Sequence, residues 1–338
     1  MRTAAIDRTE TRSHMGNMGN IGNIEMTGNL RNIRSGGLEA MATIESNHPG
    51  SSRRLPLAAV GRLAAVGLFA SSLLAAAPAY AGHGSSAGAV ASAIASGSPD
   101  AIKSELERAE YLVCAACVDY VTPLIDNPDA SVREVAGWWL VRRGVGRQVF
   151  TDMLNRLAQP DSIKARNAAD VLGSFGYPQA IPALGAAVQN PVFTGEARAA
   201  MANALGTIRR PAAAAPLQAV LGDGEPLVRA AALSALRRVE GFKDGTVAVP
   251  LLNDGDENVR VQAIFTVAQL RTTSAAATLV QLLQSDPSAS VRKRAAWALG
   301  AMNAPASVAG PALTQAAGSD PSPFVRSLAH AAVAGLGR

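Results

Sequence analysis

The only two cysteines of this 338-residue chain, Cys114 and Cys117, stand as a C-x-x-C pair in the segment EYLVCAACVDYV. At that spacing the side chains point to similar sides of a helix, and helix-start geometry brings the Cα atoms within the disulfide range of about 4.4 to 6.8 Å. Three uses remain open: a structural disulfide, redox-active or ligand-linked thiols, or two small buried residues. Exposure separates them, because fully buried sulfurs cannot exchange. Covalent haem attachment of the c type needs His after the second cysteine, where Val118 stands. A zinc site needs about four ligands, and beyond residue 82 the only histidines are the distant His83 and His330. No metal and no cofactor is assigned.

Large rings gather around the same pair. Tyr111, Tyr120, Trp138 and Trp139 fall within 29 residues of a chain that has four Tyr and three Trp, and Arg142 and Arg143 follow directly. Adjacent tryptophans on a helix point about 100° apart, which argues against both burying in one core layer and leaves one for the surface. The cluster therefore reads either as a partner- or ligand-binding site or as a cap made of large side chains.

Which elements hold these residues follows from self-comparison. From Pro123 the chain reads PLIDNPDASVREVA, from Pro250 PLLNDGDENVRVQA, and from Leu282 LLQSDPSASVRKRA, without gaps; AVLGDGEPLVRAAA from Ala219 and AAGSDPSPFVRSLA from Ala316 keep the frame. An apolar residue lies seven positions after each arginine. Leu140, Leu205, Leu236, Val267, Leu299 and Val333 follow Arg133, Arg198, Arg229, Arg260, Arg292 and Arg326, and Leu172 fills the gap, so the anchors are 31 to 34 residues apart. The second unit departs from the pattern, with Ala165 where arginine is expected. A repeat of this length is a helical hairpin that buries its apolar faces only by stacking. Apolar residues at 48% with aromatics at 4% suit close-packed Ala, Leu and Val helices. The fold class expected is all-α: a right-handed α-solenoid of about seven hairpins, each with an apolar helix, a Gly/Pro/Asp turn and a second helix opened by Val-Arg. Counting back through the units starts the first leading helix near residues 114 to 118, although nothing between Asp100 and Thr122 obliges a break.

The repeats over roughly residues 100 to 338 resemble the HEAT-repeat family, in the short form found in phycobilin lyases. The resemblance implies fold more than function, since that fold hosts scaffolds, adaptors and a few enzymes. In HEAT-like repeats the repeated arginine pairs with turn carboxylates, for which Asp126, Asp129, Asp254, Asp256, Asp286 and Asp320 are available. Deoxyhypusine hydroxylase, a HEAT-repeat enzyme, carries its metals on His-Glu pairs, and no His-Glu dipeptide occurs here. There is no G-x-S-x-G and no Gly-rich phosphate loop before a lysine, so no catalytic residue is assigned.

Eight of the 31 Lys and Arg and five of the 26 Asp and Glu precede residue 82, so the net charge of +5 falls to about +2 beyond it. That balance gives no footprint for nucleic acid. Arg53, Arg54 and Arg62, an apolar run from Leu63 to Ala77 and Ala79-Tyr80-Ala81 are the parts of a signal peptide cleaved after Ala81. The run is short for a membrane span of roughly 20 residues, and no stable insertion is expected after cleavage. Ser52-Arg53-Arg54-Leu55-Pro56-Leu57 resembles a twin-arginine motif with Pro56 where Phe is usual, which favours the general secretory route. The expected organisation is a disordered or non-native extension (1–40), a signal peptide (41–81), a flexible linker (82–99) and the repeats (100–338). Functionally this describes a periplasmic or secreted scaffold binding a partner protein. The alternative is a thiol-disulfide or cofactor-handling protein using Cys114 and Cys117.

Overall fold

The computed structural model describes residues 84–336; the expected leader, its cleavage site and the 1–40 extension lie outside the described residues. Fifteen α-helices occur among them: α1 (Ala87–Ala95), α2 (Pro99–Arg108), α3 (Ala115–Val121), α4 (Ala130–Leu140), α5 (Gly146–Leu157), α6 (Ser162–Phe175), α7 (Ile181–Val188), α8 (Gly195–Ile208), α9 (Ala214–Ala219), α10 (Pro226–Leu236), α11 (Glu257–Gln269), α12 (Ala276–Ser285), α13 (Ala289–Ala301), α14 (Ala306–Ser319) and α15 (Pro323–Gly335). No strand occurs among the described residues. Helices α4, α6, α8, α10, α11, α13 and α15 stack in one row, each against the next. They are the second helices of seven hairpins, and the anchors sit on them.

Leu140, Leu172, Leu205, Leu236, Val267 and Leu299 are all fully buried between neighbouring units, while Val333 on α15 is only half-buried. The row is tight because small residues meet at the crossings. A Cβ on Gly206 would lie 2.7 Å from the Ala235 Cα, and one on Gly173 3.0 Å from the Ala204 Cα. The second helices start where side chains accept their free N–H groups: Asp129, Asp161, Thr194, Asp256 and Ser288 cap α4, α6, α8, α11 and α13.

The repeated arginines form a structural ladder. Arg229 bonds Asp254 at 2.7 and 2.8 Å, Arg260 bonds Asp286 at 2.8 and 3.2 Å, and Arg292 bonds Asp320 at 2.8 and 3.1 Å. Arg198 pairs with Asp223 in the same way. Each of these aspartates belongs to the turn of the following unit. The second terminal nitrogen of the arginine donates back to its own turn, as Arg260 does to the carbonyls of Asp254 and Gly255. Arg133 finds no turn aspartate ahead of it, because the corresponding residue is Gln159, and pairs instead with Asp170 on α6 at 2.5 Å. Arg326 keeps the backbone half of the pattern, to the Asp320 and Pro321 carbonyls, with no carboxylate among the described residues.

Two details differ from the expectation. The stretch read as a flexible linker carries α1, capped by Ser86 and anchored by the fully buried Val90, and α1 packs on α2 and α3; Ala-rich sequence behind a serine cap is enough to hold a helix once it has a face to bury. In the fifth unit the leading helix is replaced by two 3-10 turns, Gly245–Ala248 and Pro250–Asn253. Pro250 has no N–H to continue an α-helix; Pro123 likewise falls where α3 gives way to a 3-10 turn, Thr122–Asp126. Between α2 and α3 the chain leaves the helix at 109–114.

The ladder predicts an asymmetry between equivalent arginines. Arg260→Ala strands a buried Asp286 and should cost about 2 to 4 kcal/mol, whereas Arg326→Ala should cost less than about 1 kcal/mol. Urea denaturation of the two variants against the parent checks both values.

Candidate functional site

The break at 109–114 brings the predicted residues together. Trp139 Nε1 donates to the Ala109 carbonyl at 3.0 Å, and one nitrogen of Arg143 donates to the carbonyls of Ala109 and Glu110, each at 2.9 Å. The Ala109 carbonyl also accepts the Leu112 N–H at 3.0 Å, so the chain past the end of α2 is held in a turn by these donors. Arg143 also bonds the Trp139 carbonyl at 2.7 Å and lies 3.5 Å above its ring; Arg142 bonds the Trp138 carbonyl at 2.7 Å and lies 4.3 Å above that ring. Both arginines thereby close the C-terminal end of α4.

Both tryptophans are buried, Trp139 completely and Trp138 to within 3%. The expectation that one would reach the surface is corrected. The 100° between them is real but is spent on two different covers: Trp139 is tied to the end of α2, and Trp138 lies beneath Arg142. Trp138 Nε1 is buried without a hydrogen-bond partner.

Cys114 and Cys117 form a disulfide with Cα atoms 5.3 Å apart. Cys114 is in extended backbone just before α3 and its sulfur accepts from the Cys117 N–H at 3.0 Å. The two sulfurs are unequal: Cys117 is fully buried, Cys114 partly exposed. Beside them the backbone pinned by Trp139 and Arg143 presents apolar groups to solvent. Tyr111 is 87% exposed, Val113 100% and Tyr120 46%. Tyr177, at 41%, stands at the far side of Arg142, on a turn opened by Gly176 in the left-handed region (φ 68°), and packs edge-on to Phe150 and Phe175 at 5.5 and 5.8 Å. Burial draws the Arg142 guanidinium below its ordinary range, against the Glu110 carboxylate 3.7 Å away.

Val113 and Tyr177 went unnoticed in the sequence. Val113 adjoins the cysteine pair, and Tyr177 completes the tyrosines that were otherwise counted; neither carries a signal of exposure. A third residue, Glu134 on α4, was also missed. Burial first, and then the Asp170 charge, push its carboxyl up to about 7, against the pull of Arg133 and Arg238. Arg238 follows the end of α10 and reaches back to bond Asn203 of α8 at 3.2 Å, while its Nε finds no acceptor; Arg237 beside it bonds Gln262 and Thr266 of α11.

A family model described as HEAT repeats matches residues 150–237 and 245–334, leaving the first unit outside the matched segments. No curated protein matches the sequence. Among solved structures, YibA of E. coli is 17% identical, with a TM-score of 0.48 over 74% of this chain and 92% of that one. Human deoxyhypusine hydroxylase in complex with glycerol is 20% identical (TM-score 0.31, 73% and 94% covered). The CpcE and CpcF complex of phycocyanin lyase from Nostoc sp. PCC7120 is 21% identical (TM-score 0.35, 65% and 94% covered).

Two outcomes test the assignments at this site. Trp139→Ala should cost about 3 to 5 kcal/mol of stability, while Tyr111→Ala should change it by less than about 0.5 kcal/mol, both read from thermal and denaturant unfolding. Glu134 holds its proton more tightly folded than unfolded, so its contribution is present below the unfolded carboxyl range and is lost as pH rises toward 7 and above. Glu134→Gln should therefore gain on the parent by on the order of 1 to 2 kcal/mol between pH 5 and pH 8, measured as the difference between their stability profiles.

Proposed function

The chain belongs to the HEAT-repeat family, and on that premise we propose that it is an exported scaffold whose first unit docks a partner protein. The observation that carries the docking reading is the set of exposed apolar side chains, Tyr111, Val113 and Tyr120 in the first unit and Tyr177 at the turn after α6. Three of the four lie in or next to a segment that Trp139, Arg143 and the disulfide hold fixed. Pre-ordered aromatic and arginine groups lose little freedom on association and are the residue types that dominate interface energies. Surface this apolar on a pinned loop is not needed to cover the solenoid, since α1 and α2 already lie against the first unit. Export rests on the basic, apolar and Ala-Tyr-Ala segments before residue 82. A closed cysteine pair fits an oxidising compartment.

A photo-crosslinking side chain placed at residue 111 or 113 in the full chain, expressed in its own cells, should give one discrete adduct in the envelope fraction. The same group at Asp152, exposed on α5, should give none. Equal adducts from both faces, or none from the first unit, would sink the reading.

A further inference from the structure

A disulfide between residues three apart closes so short a loop that it removes little freedom from the unfolded chain. This one adds still less, because Trp139 and Arg143 already fix the backbone that leads into it. Its arrangement suits chemistry better than stapling. Cys117, with Val121 one turn later, forms the buried face of α3, whereas Cys114 is partly exposed at the end of the pinned segment. Attack on a disulfide proceeds along the line of the sulfur–sulfur bond. Cys117 is fully buried and Cys114 partly exposed, so Cys114 is the sulfur open to an incoming thiolate. The ground around that approach is apolar: Tyr111, Val113 and Tyr120 are exposed, as are Ala115 and Ala116. A small hydrophilic thiol gains nothing there, while a cysteine in an extended apolar segment of polypeptide does.

We propose that the Cys114–Cys117 bond exchanges with dithiols of unfolded or extended polypeptide, accepting two electrons from them. A thiolate of the substrate polypeptide attacks Cys114 Sγ; the new bond is a mixed disulfide, the Cys114–Cys117 bond breaks, and Cys117 leaves as a thiolate that takes a proton. The second substrate thiolate then attacks the substrate sulfur of the mixed disulfide and expels Cys114, whose negative sulfur keeps the hydrogen bond from the Cys117 N–H, 3.0 Å in the oxidised state. The substrate ends with one disulfide, and its two electrons reside on Cys114 and Cys117; the protons released when the substrate thiolates formed go to solvent, from which Cys117, and then Cys114, takes its own.

The test uses the oxidised full chain in native buffer with two reduced peptides, each carrying a pair of cysteines, one pair flanked by leucine and phenylalanine and the other by glycine and serine. Mass spectrometry should find one peptide disulfide formed per protein, at least about tenfold faster for the apolar peptide. Replacing Tyr111 and Val113 together by serine should remove that preference and leave the slower rate. Presented with the oxidised apolar peptide, Cys117→Ser should trap a mixed disulfide on Cys114, while Cys114→Ser should trap none, with circular dichroism confirming that both remain helical. If the parent protein leaves both peptides reduced in native buffer and reacts only in denaturant, the pair is a structural bridge and the proposal is overturned. Equal rates for the two peptides would overturn the recognition that the proposal assigns to Tyr111 and Val113.

Discussion

Everything in this fold depends on how closely consecutive second helices approach. At Gly173 against Ala204 and Gly206 against Ala235 there is no room for a larger side chain, and that spacing sets the rest. It accounts for a core of Ala, Leu and Val almost without rings. Arg238 reaches across the same close contact from the end of α10 to Asn203 of α8, its terminal nitrogen 2.7 Å from where a Cβ on Gly206 would stand.

Against that regular background the first unit is built differently. Its helix α4 places Trp139 where later units have Ala204, Ala235, Thr266, Ala298 and Ala332; Arg142 and Arg143 turn back over the two tryptophan rings, and Arg143 captures carbonyls of the preceding segment. The large side chains are inside and do the holding. What reaches solvent is the segment they hold, with its tyrosines, Val113 and one sulfur. Packing and recognition are thus divided between neighbouring residues of one short sequence.

How much of this could be read from sequence follows from whether the cause was local. The frame of the repeats, the anchors from Leu140 to Leu299 and the pairing of arginines with turn aspartates were legible, because each is a fixed spacing repeated along the chain. The start of α3 at Ala115 came from the same count. The burial of both tryptophans was not legible, since it needs Ala109 and Arg142 as covers, and the former lies 30 residues away from the ring that bonds it. Nor was α1, whose sequence resembles a linker until Val90 finds a surface. Glu134 carries no mark in the sequence at all; its proton affinity comes first from burial and then from Asp170 on α6, against the pull of Arg133 and Arg238. Spacing identifies what repeats, and it is silent about residues whose surroundings are supplied by a unit further along.

The aspartates of the ladder carry a consequence of their own. Asp286 accepts the Ser288 N–H of its own turn at 2.8 Å while it holds Arg260 of the unit before, and Asp254 and Asp320 do the same for Asp256 with Arg229 and for Ser322 with Arg292. Each carboxylate therefore belongs to two units at once. A turn that loosens releases its neighbour's arginine, and that arginine in turn lets go of the carbonyls one unit back. Because each such coupling acts equally on both partners, the ladder turns a string of short hairpins, none stable alone, into blocks that melt cooperatively.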